Sequence, residues 1–208
     1  MSSPLPDRIA FVTRAGAPAP RATRSRAGNA MPRTRAGLLD GALRALLKQG
    51  PRRTTMTDVA AFAGVAKATL YNHFRTKDDV FSGLVAAEVE TIAAECAGRP
   101  LDDALVHAAL RLSSHPGLRR VAADDPAALA MLVTGGDGPG WQAARGAVRA
   151  ALEPAGLAGD DLVLRWLSSH VATPGTEESI REGAADLLAG LGGSARRERD
   201  LPTTTDRS

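Results

Sequence analysis

Residues 66–77, AKATLYNHFRTK, carry side chains that can hydrogen-bond nucleic acid. Lysine and asparagine can pair with base edges, a threonine methyl group can touch thymine, and tyrosine and histidine can reach phosphates or bases. The candidates in this segment are Lys67, Thr69, Tyr71, Asn72 and His73. Their types predict a surface that contacts DNA. From spacing alone, an alternative stays open in which Tyr71 and His73 only pack against neighbouring side chains.

Two short helices are expected to position this surface. The first lies in TTMTDVAAFAG, residues 54–64, where Thr55 and Asp58 stand three apart as in a capping box and Gly64 ends the helix. The second runs from about residue 66 to 74 and turns Leu70 and Phe74 inward. Two short helices joined by a turn predict a helix-turn-helix, whose second helix lies in the DNA major groove.

Other polar residues near these helices are candidates for phosphate contacts. Thr55 and Thr57 lie at the start of the first short helix, where backbone N–H groups favour an anion. A longer helix with leucines at three- and four-residue spacing begins near Pro32, and Arg33 and Arg35 are expected to precede it and to contact phosphate. Phe62, Phe74 and Phe81 are predicted to close the small three-helix core.

The charge of the chain divides sharply at Lys77. Residues 1–77 contain 14 Lys and Arg against 3 Asp and Glu, whereas residues 78–208 contain 12 against 20. A basic N-terminal part on an acidic remainder is expected when only the first part meets a polyanion. Residues 1–30 mix Pro, Gly, Ser and Arg without periodicity and are predicted to be a disordered basic arm, which accounts for part of the asymmetry. Translation starting at Met31 is a further hypothesis.

Beyond residue 80, helical periodicity alternates with Gly and Pro breaks. These breaks fall at residues 98–100, 115–117, 125–126, 135–140, 154–159 and 173–175. Runs of alternating β-branched residues are absent from the sequence. The pattern predicts an all-α chain of roughly nine helices that ends in a disordered tail at residues 194–208. Near residues 160–171 and 176–191, apolar stripes could form a core within the chain or pack against a second copy.

Composition excludes several classes of protein. The single cysteine, Cys96, cannot build a disulfide framework, and the histidine spacings do not match a metal site, so no metal or cofactor is expected. No apolar run approaches the length of a bilayer span, and no signal-like segment occurs at the start, which predicts a cytoplasmic protein without membrane association. The sequence lacks nucleophile-elbow, P-loop and dinucleotide-binding motifs, so it is not expected to be an enzyme.

The acidic part of the chain offers candidates for a small-molecule pocket. Pockets between helices are mostly apolar with a few polar groups. Trp141 and Trp166 could line such a pocket, with His107, Arg111 and His170 as polar partners. A plain role in the hydrophobic core is the alternative for each tryptophan.

Three segments in this order and spacing resemble the N-terminal DNA-binding domain of TetR-type transcriptional regulators. They read LLDGALRALLKQG, TTMTDVAAFAGV and AKATLYNHFRTKDDVF, and the resemblance covers residues 33 to about 85. It implies that Lys67, Thr69, Tyr71, Asn72 and His73 face DNA, with Thr55, Thr57 and Lys77 on phosphates. Ala66 departs from the family, in which a serine commonly caps this helix, so a cap is expected to be missing here.

The resemblance also implies an organisation for the whole chain. Residues 31–80 would form a three-helix helix-turn-helix domain, and residues 81–193 a helical domain that binds a small-molecule effector and dimerises through its last two helices. The expected function is a ligand-responsive repressor that binds a palindromic double-stranded operator as a homodimer. The alternative is a basic protein that binds nucleic acid without sequence preference, which would not discriminate between DNA sequences.

Overall fold

The computed structural model describes residues 30–134, 136 and 138–200, and this part of the chain contains helices and no β-strand. The all-α prediction is confirmed. In chain order the helices are α1 Ala30–Gln49, α2 Met56–Ala63, α3 Lys67–Tyr71, α4 Lys77–Cys96, α5 Leu101–Ser114, α6 Pro116–Asp124, α7 Pro126–Val133, α8 Pro139–Leu152, α9 Asp160–Ala172 and α10 Glu177–Asp200, with a short 3₁₀ helix Glu153–Ala155 after α8. Each predicted Gly or Pro break separates two of them. None of the helices described is long and apolar enough to cross a bilayer.

Two predicted helix boundaries were wrong. Because α1 begins at Ala30, Arg33 and Arg35 lie inside its first two turns and do not precede it. Pro32 is tolerated there, since first-turn N–H groups have no partner within the helix. The expected tail from residue 194 is helical as far as Asp200. Alanine, arginine and glutamate favour helix, and the segment from residue 194 contains no proline until Pro202. The predicted arm, apart from Ala30, and residues 201–208 lie outside the described residues.

The first hydrophobic core holds α1 to α4 together around α3. Leu38, Val59, Leu70 and Val80 are fully buried, and Phe74 is 4% exposed. The predicted aromatic trio is only partly correct. Phe62 packs at the edge of this cluster, whereas Phe81 is outside it. The centre of the Phe81 ring lies 5.8 Å from the Lys77 ammonium.

The second hydrophobic core lies among α4, α5, α8, α9 and α10. Its most buried residues are Ala109, Leu152, Val163, Ile180 and Ala184, and Ile92 of α4 also belongs to it. Helix α4 enters both cores, so the predicted domain boundary at residues 80–81 falls within one continuous helix.

The predicted stripes of the last two helices mostly face the core of their own chain. Val163, Leu167, Ile180, Ala184 and Leu191 are all at most 8% exposed. Leu162, by contrast, is 52% exposed on α9. The intramolecular alternative therefore holds for most of these residues.

Candidate nucleic-acid interface

Helix α2 starts with the predicted capping box. Thr55 accepts a hydrogen bond from the Asp58 N–H at 3.2 Å through Oγ1, and the Asp58 carboxylate accepts one from the Thr55 N–H at 2.9 Å. Hydrogen bonding from the Thr55 hydroxyl is the largest cause of the lowered pKa of Asp58. The Thr55 side chain thus caps its own helix. Thr57, two residues further along the chain, is exposed.

A tight turn joins α2 to α3. Gly64 adopts the left-handed conformation at φ 68°, which glycine reaches without strain, and its N–H donates to the Ala61 carbonyl. The next N–H, of Val65, donates to the Ala60 carbonyl at 3.1 Å. These bonds satisfy the last carbonyls of α2 and send the chain into α3 at once.

Helix α3 is short and is held by its buried side. It spans five residues, and Ala66 at its N-cap makes no side-chain hydrogen bond, as the sequence predicted. Leu70 is fully buried, and the Phe74 N–H continues the helical pattern by donating to the Leu70 carbonyl at 2.9 Å. Burial of these two apolar side chains, and not capping, fixes the position of α3.

The opposite side of α3 presents the predicted contact residues unequally. Lys67, Tyr71 and Asn72 are exposed together with the methyl group of Ala68, and Tyr71 is 46% exposed. Thr69 and His73 are only half-exposed, and the His73 ring lies 6.5 Å from that of Phe74. The outward face therefore centres on Lys67, Tyr71 and Asn72, one helical turn long.

Two of the predicted phosphate contacts are engaged within the protein. The Lys77 ammonium donates to the Pro51 carbonyl at 3.2 Å, and the Arg35 guanidinium lies 5.3 Å from the centre of the Phe74 ring. Both cations therefore brace the first core. Arg33 is exposed at the start of α1. The other candidates lie on α2 and α3 or at their ends.

The five candidate effector residues lie at three separate places. His107 and Arg111 belong to a charged network between α4 and α5. Arg111 Nη2 lies 2.9 Å from Glu88 Oε1, and its Nε lies 3.0 Å from Glu95 Oε2. His107 Nε2 lies 2.8 Å from the same Glu95 oxygen. Both side chains thus already have carboxylate partners within the protein. Among the residues that the structure describes, no hydrogen bond or ion pair joins this network to either tryptophan.

The tryptophans have separate partners. Trp141 donates its indole N–H to the Leu132 carbonyl at 2.9 Å and ties α8 to α7. Trp166 meets His170 edge-on, with ring centres 4.7 Å apart, on α9. Burial lowers the pKa of His170, and its Nε2 is buried without a hydrogen-bond partner among the residues described.

A cavity of about 250 Å³ lies at a different place, between α1, α4 and the start of α8. Its lining contains none of the five candidate effector residues, but it includes Arg35, a candidate for phosphate contact. It is formed by Arg35, Asp79, Ser82, Gly83, Ala86 and Pro139. Over the described ranges, no cluster of three or more His, Cys, Asp or Glu side chains could hold a metal ion.

Comparison with known proteins decides the family of the first domain. Residues 38–84 match the model of the bacterial regulatory proteins of the tetR family. The chain carries a TetR-type domain. The HTH-type transcriptional regulator TtgR of Pseudomonas putida is 40% identical over 58 residues, and the HTH-type transcriptional repressor BepR of Brucella suis is 35% identical over 52. These alignments span 28% and 25% of the respective relatives, and the same shares of this chain.

Solved structures extend the similarity in fold beyond the TetR-type domain. The TetR family repressor AlkX from Dietzia superposes with a TM-score of 0.59 at 21% identity, over 76% of this chain and 95% of AlkX. A TetR transcriptional regulator from Rhodococcus gives 0.55 at 20% identity, over 78% and 98%. A helix-turn-helix domain followed by a helical domain is therefore the architecture of this chain. The named relatives are transcriptional regulators.

Sequence reasoning missed one prominent contact between the two parts of the chain. Arg52, in the turn after α1, pairs with Asp125, which is 73 residues away between α6 and α7. No local pattern could have indicated a pair at this separation.

Proposed function

We propose that this protein is a DNA-binding transcriptional regulator, and specifically a repressor that binds a palindromic operator as a homodimer. One observation carries the proposal. In the TetR-type domain, a buried Leu70 and Phe74 hold α3 so that Lys67, Tyr71 and Asn72 face outward side by side. A short rigid helix with exposed polar side chains suits the major groove.

The chemistry of the α3 face supports readout of base edges. Asn72 can donate and accept toward adenine, Lys67 can donate to guanine, and the Ala68 methyl group can contact thymine. Tyr71 supplies a ring and a hydroxyl beside them. Thr57, the N–H groups at the start of α2 and the exposed Arg33 are suited to neighbouring phosphates.

Dimerisation and effector control complete the proposal. Residues 81–193 would form the dimerising and effector-binding part, and the exposed Leu162 on α9 is the kind of apolar group that a second copy would cover. An effector would release the operator only if it binds more tightly to a state in which the two α3 helices no longer match the half-sites. The charged network of Glu88, Glu95, His107 and Arg111 joins α4 to α5, and His107 and Arg111 remain candidates for contact with such a ligand.

Selection from a pool of random duplex DNA tests the proposal. Wild-type protein should recover one inverted repeat, which footprinting would then locate within a longer fragment. The Tyr71→Ala variant should recover that inverted repeat more weakly or not at all, because it lacks an exposed side chain of the α3 face. Met131→Ala is the matched control, since Met131 is an exposed apolar residue on α7, 79% accessible, outside the TetR-type domain.

The outcomes separate two modes of binding. Recovery of one sequence by wild type and Met131→Ala, but not by Tyr71→Ala, supports specific recognition through α3. Recovery of no shared sequence, with equal retention of DNA by all three proteins, would instead indicate binding by charge alone.

A further inference from the structure

A bidentate ion pair joins the TetR-type domain to the second part of the chain. Arg52 donates to Asp125 through Nε at 2.9 Å and through Nη2 at 3.1 Å, one bond to each carboxylate oxygen. This fork geometry fixes direction as well as distance. The Asp125 side chain is 15% exposed while that of Arg52 is 69% exposed, so the aspartate is the anchored partner.

Asp125 is anchored because it also caps α7. Its Oδ1 accepts a hydrogen bond from the Ala128 N–H at 3.2 Å. The Arg52 side chain, followed by the Ala128 N–H, lowers the pKa of Asp125. Since α7 is in turn tied to α8 by Trp141, the carboxylate belongs to the framework of the second part of the chain.

Arg52 belongs to a turn that leads directly into α2. Thr54, 1% exposed, closes this turn by donating its hydroxyl to the Gly50 carbonyl at 2.7 Å, and the next residue, Thr55, is the N-cap of α2. Gly50 itself packs so closely on Asp124 that a Cβ would overlap that carboxylate. The α6–α7 corner therefore contacts the turn that precedes α2 at two neighbouring residues, Gly50 and Arg52.

We propose that Asp125 is a positioning residue for operator binding, which acts by holding Arg52 and thereby the orientation of α2 and α3 relative to the second part of the chain. This inference rests on the proposed function. In a dimer, the distance between the two α3 helices depends on how each TetR-type domain is oriented on its own framework. The pair therefore sets the half-site spacing that the dimer accepts.

A competing role for the pair predicts the opposite sign. If Asp125 merely sequestered Arg52 from DNA, breaking the pair would free a cation for a phosphate. Operator binding would then tighten and depend more steeply on salt concentration. Under the positioning role, binding weakens and its salt dependence stays unchanged, because no phosphate contact is gained or lost.

The test uses full-length protein and the selected operator, together with operators that have one base pair inserted or removed at the centre. Asp125→Asn keeps a good cap for α7 but removes the charge that holds Arg52. Asp161→Asn is the control, because it makes the same change in charge at an ion pair with Arg165 within α9. Arg52→Gln and the double variant complete a mutant cycle.

Asp125→Asn should weaken binding to the native spacing by about twofold to fivefold per half-site, the range expected for an exposed ion pair. For the operators with one base pair inserted or removed, the variant should lose less affinity or none. The ratio of its affinities for the native and altered spacings should therefore be smaller than that of the wild-type protein. The double variant should bind as Arg52→Gln does. General destabilisation would not produce this pattern, since it lowers the active fraction equally on every operator.

Two results overturn the inference. Unchanged spacing discrimination in Asp125→Asn refutes positioning, and tighter binding with a steeper salt dependence assigns the pair to sequestration. If wild-type protein itself fails to prefer the operator over scrambled DNA, the proposed function fails first and the inference fails with it.

Discussion

Helix α3 begins without a side-chain cap, and Ala66→Ser should supply one. Ala66 has φ −66° and ψ 144°, the extended conformation that an N-cap residue adopts, and it is exposed, so a hydroxyl has room. The serine oxygen could accept from the N–H of Ala68 or Thr69 in the first turn. In a helix of five residues, one added bond satisfies a large share of the unpaired N–H groups.

The magnitude follows from capping energies. An N-cap serine in place of alanine stabilises a helix by about 1 kcal/mol. For a protein of this size the corresponding rise in Tm is about 2–4 °C, provided that the TetR-type domain unfolds together with the remainder. Thermal unfolding followed by circular dichroism measures it directly.

Ala68→Ser is the matched control for this substitution. It adds the same hydroxyl at an exposed position, but inside α3, where serine favours helix less than alanine does. We expect Tm to rise in Ala66→Ser and to fall slightly in Ala68→Ser. Equal values of Tm in the two variants would refute the reasoning, because the gain would then not depend on the cap position.

Two further predictions concern packing and pH. Gly41→Ala should lower the free energy of unfolding by about 1–3 kcal/mol in urea titrations, because its Cβ would lie 2.6 Å from the Ala63 backbone nitrogen. Gly37 lies on the same helix, and a Cβ added there meets nothing within 4 Å. Gly37→Ala should therefore raise the free energy of unfolding by about 0.5–1 kcal/mol. A loss of equal size in the two variants would contradict the packing argument. Burial lowers the pKa of His115, with Glu88 opposing the shift, so the unfolded chain takes up the proton more readily and stability should fall as pH drops below about 6.5. His115→Asn, which can still cap α6, should reduce this fall between pH 7.5 and 5.5, and an unaltered pH dependence would exclude His115 as its source.

Local patterns in the sequence predicted the local parts of the interface. Thr55 and Asp58 form the expected capping box because both partners lie within one helical turn. The burial of Leu70 and Phe74 followed from their spacing of four residues, and the missing cap followed from Ala66 alone. In each case the determining contact lies within a few residues along the chain.

The contacts of long side chains could not be predicted in this way. The four-carbon side chain of Lys77, a predicted phosphate contact, reaches the Pro51 carbonyl, 26 residues earlier. The Arg35 guanidinium reaches the ring of Phe74 on the other side of the small core. Such partners depend on how α1 and α4 pack. Apolar periodicity shows which face of a helix is buried, but it does not show which polar side chain on another helix lies opposite.

The positive charge of the first 77 residues is partly engaged by internal contacts, which bears on the proposed recognition of DNA. Several of its cations already have partners within the protein: Arg35 on Phe74, Arg44 on Asp40, Lys48 on Phe62, Arg52 on Asp125 and Lys77 on Pro51. The carboxylates of Asp40 and Asp125 already neutralise the charges of Arg44 and Arg52, whereas the cations on a ring or a carbonyl keep donors for a phosphate. The number of counterions released on binding should therefore be smaller than the count of Lys and Arg suggests. A modest salt dependence leaves discrimination to the short face of Lys67, Tyr71 and Asn72, whose position depends on the burial of Leu70.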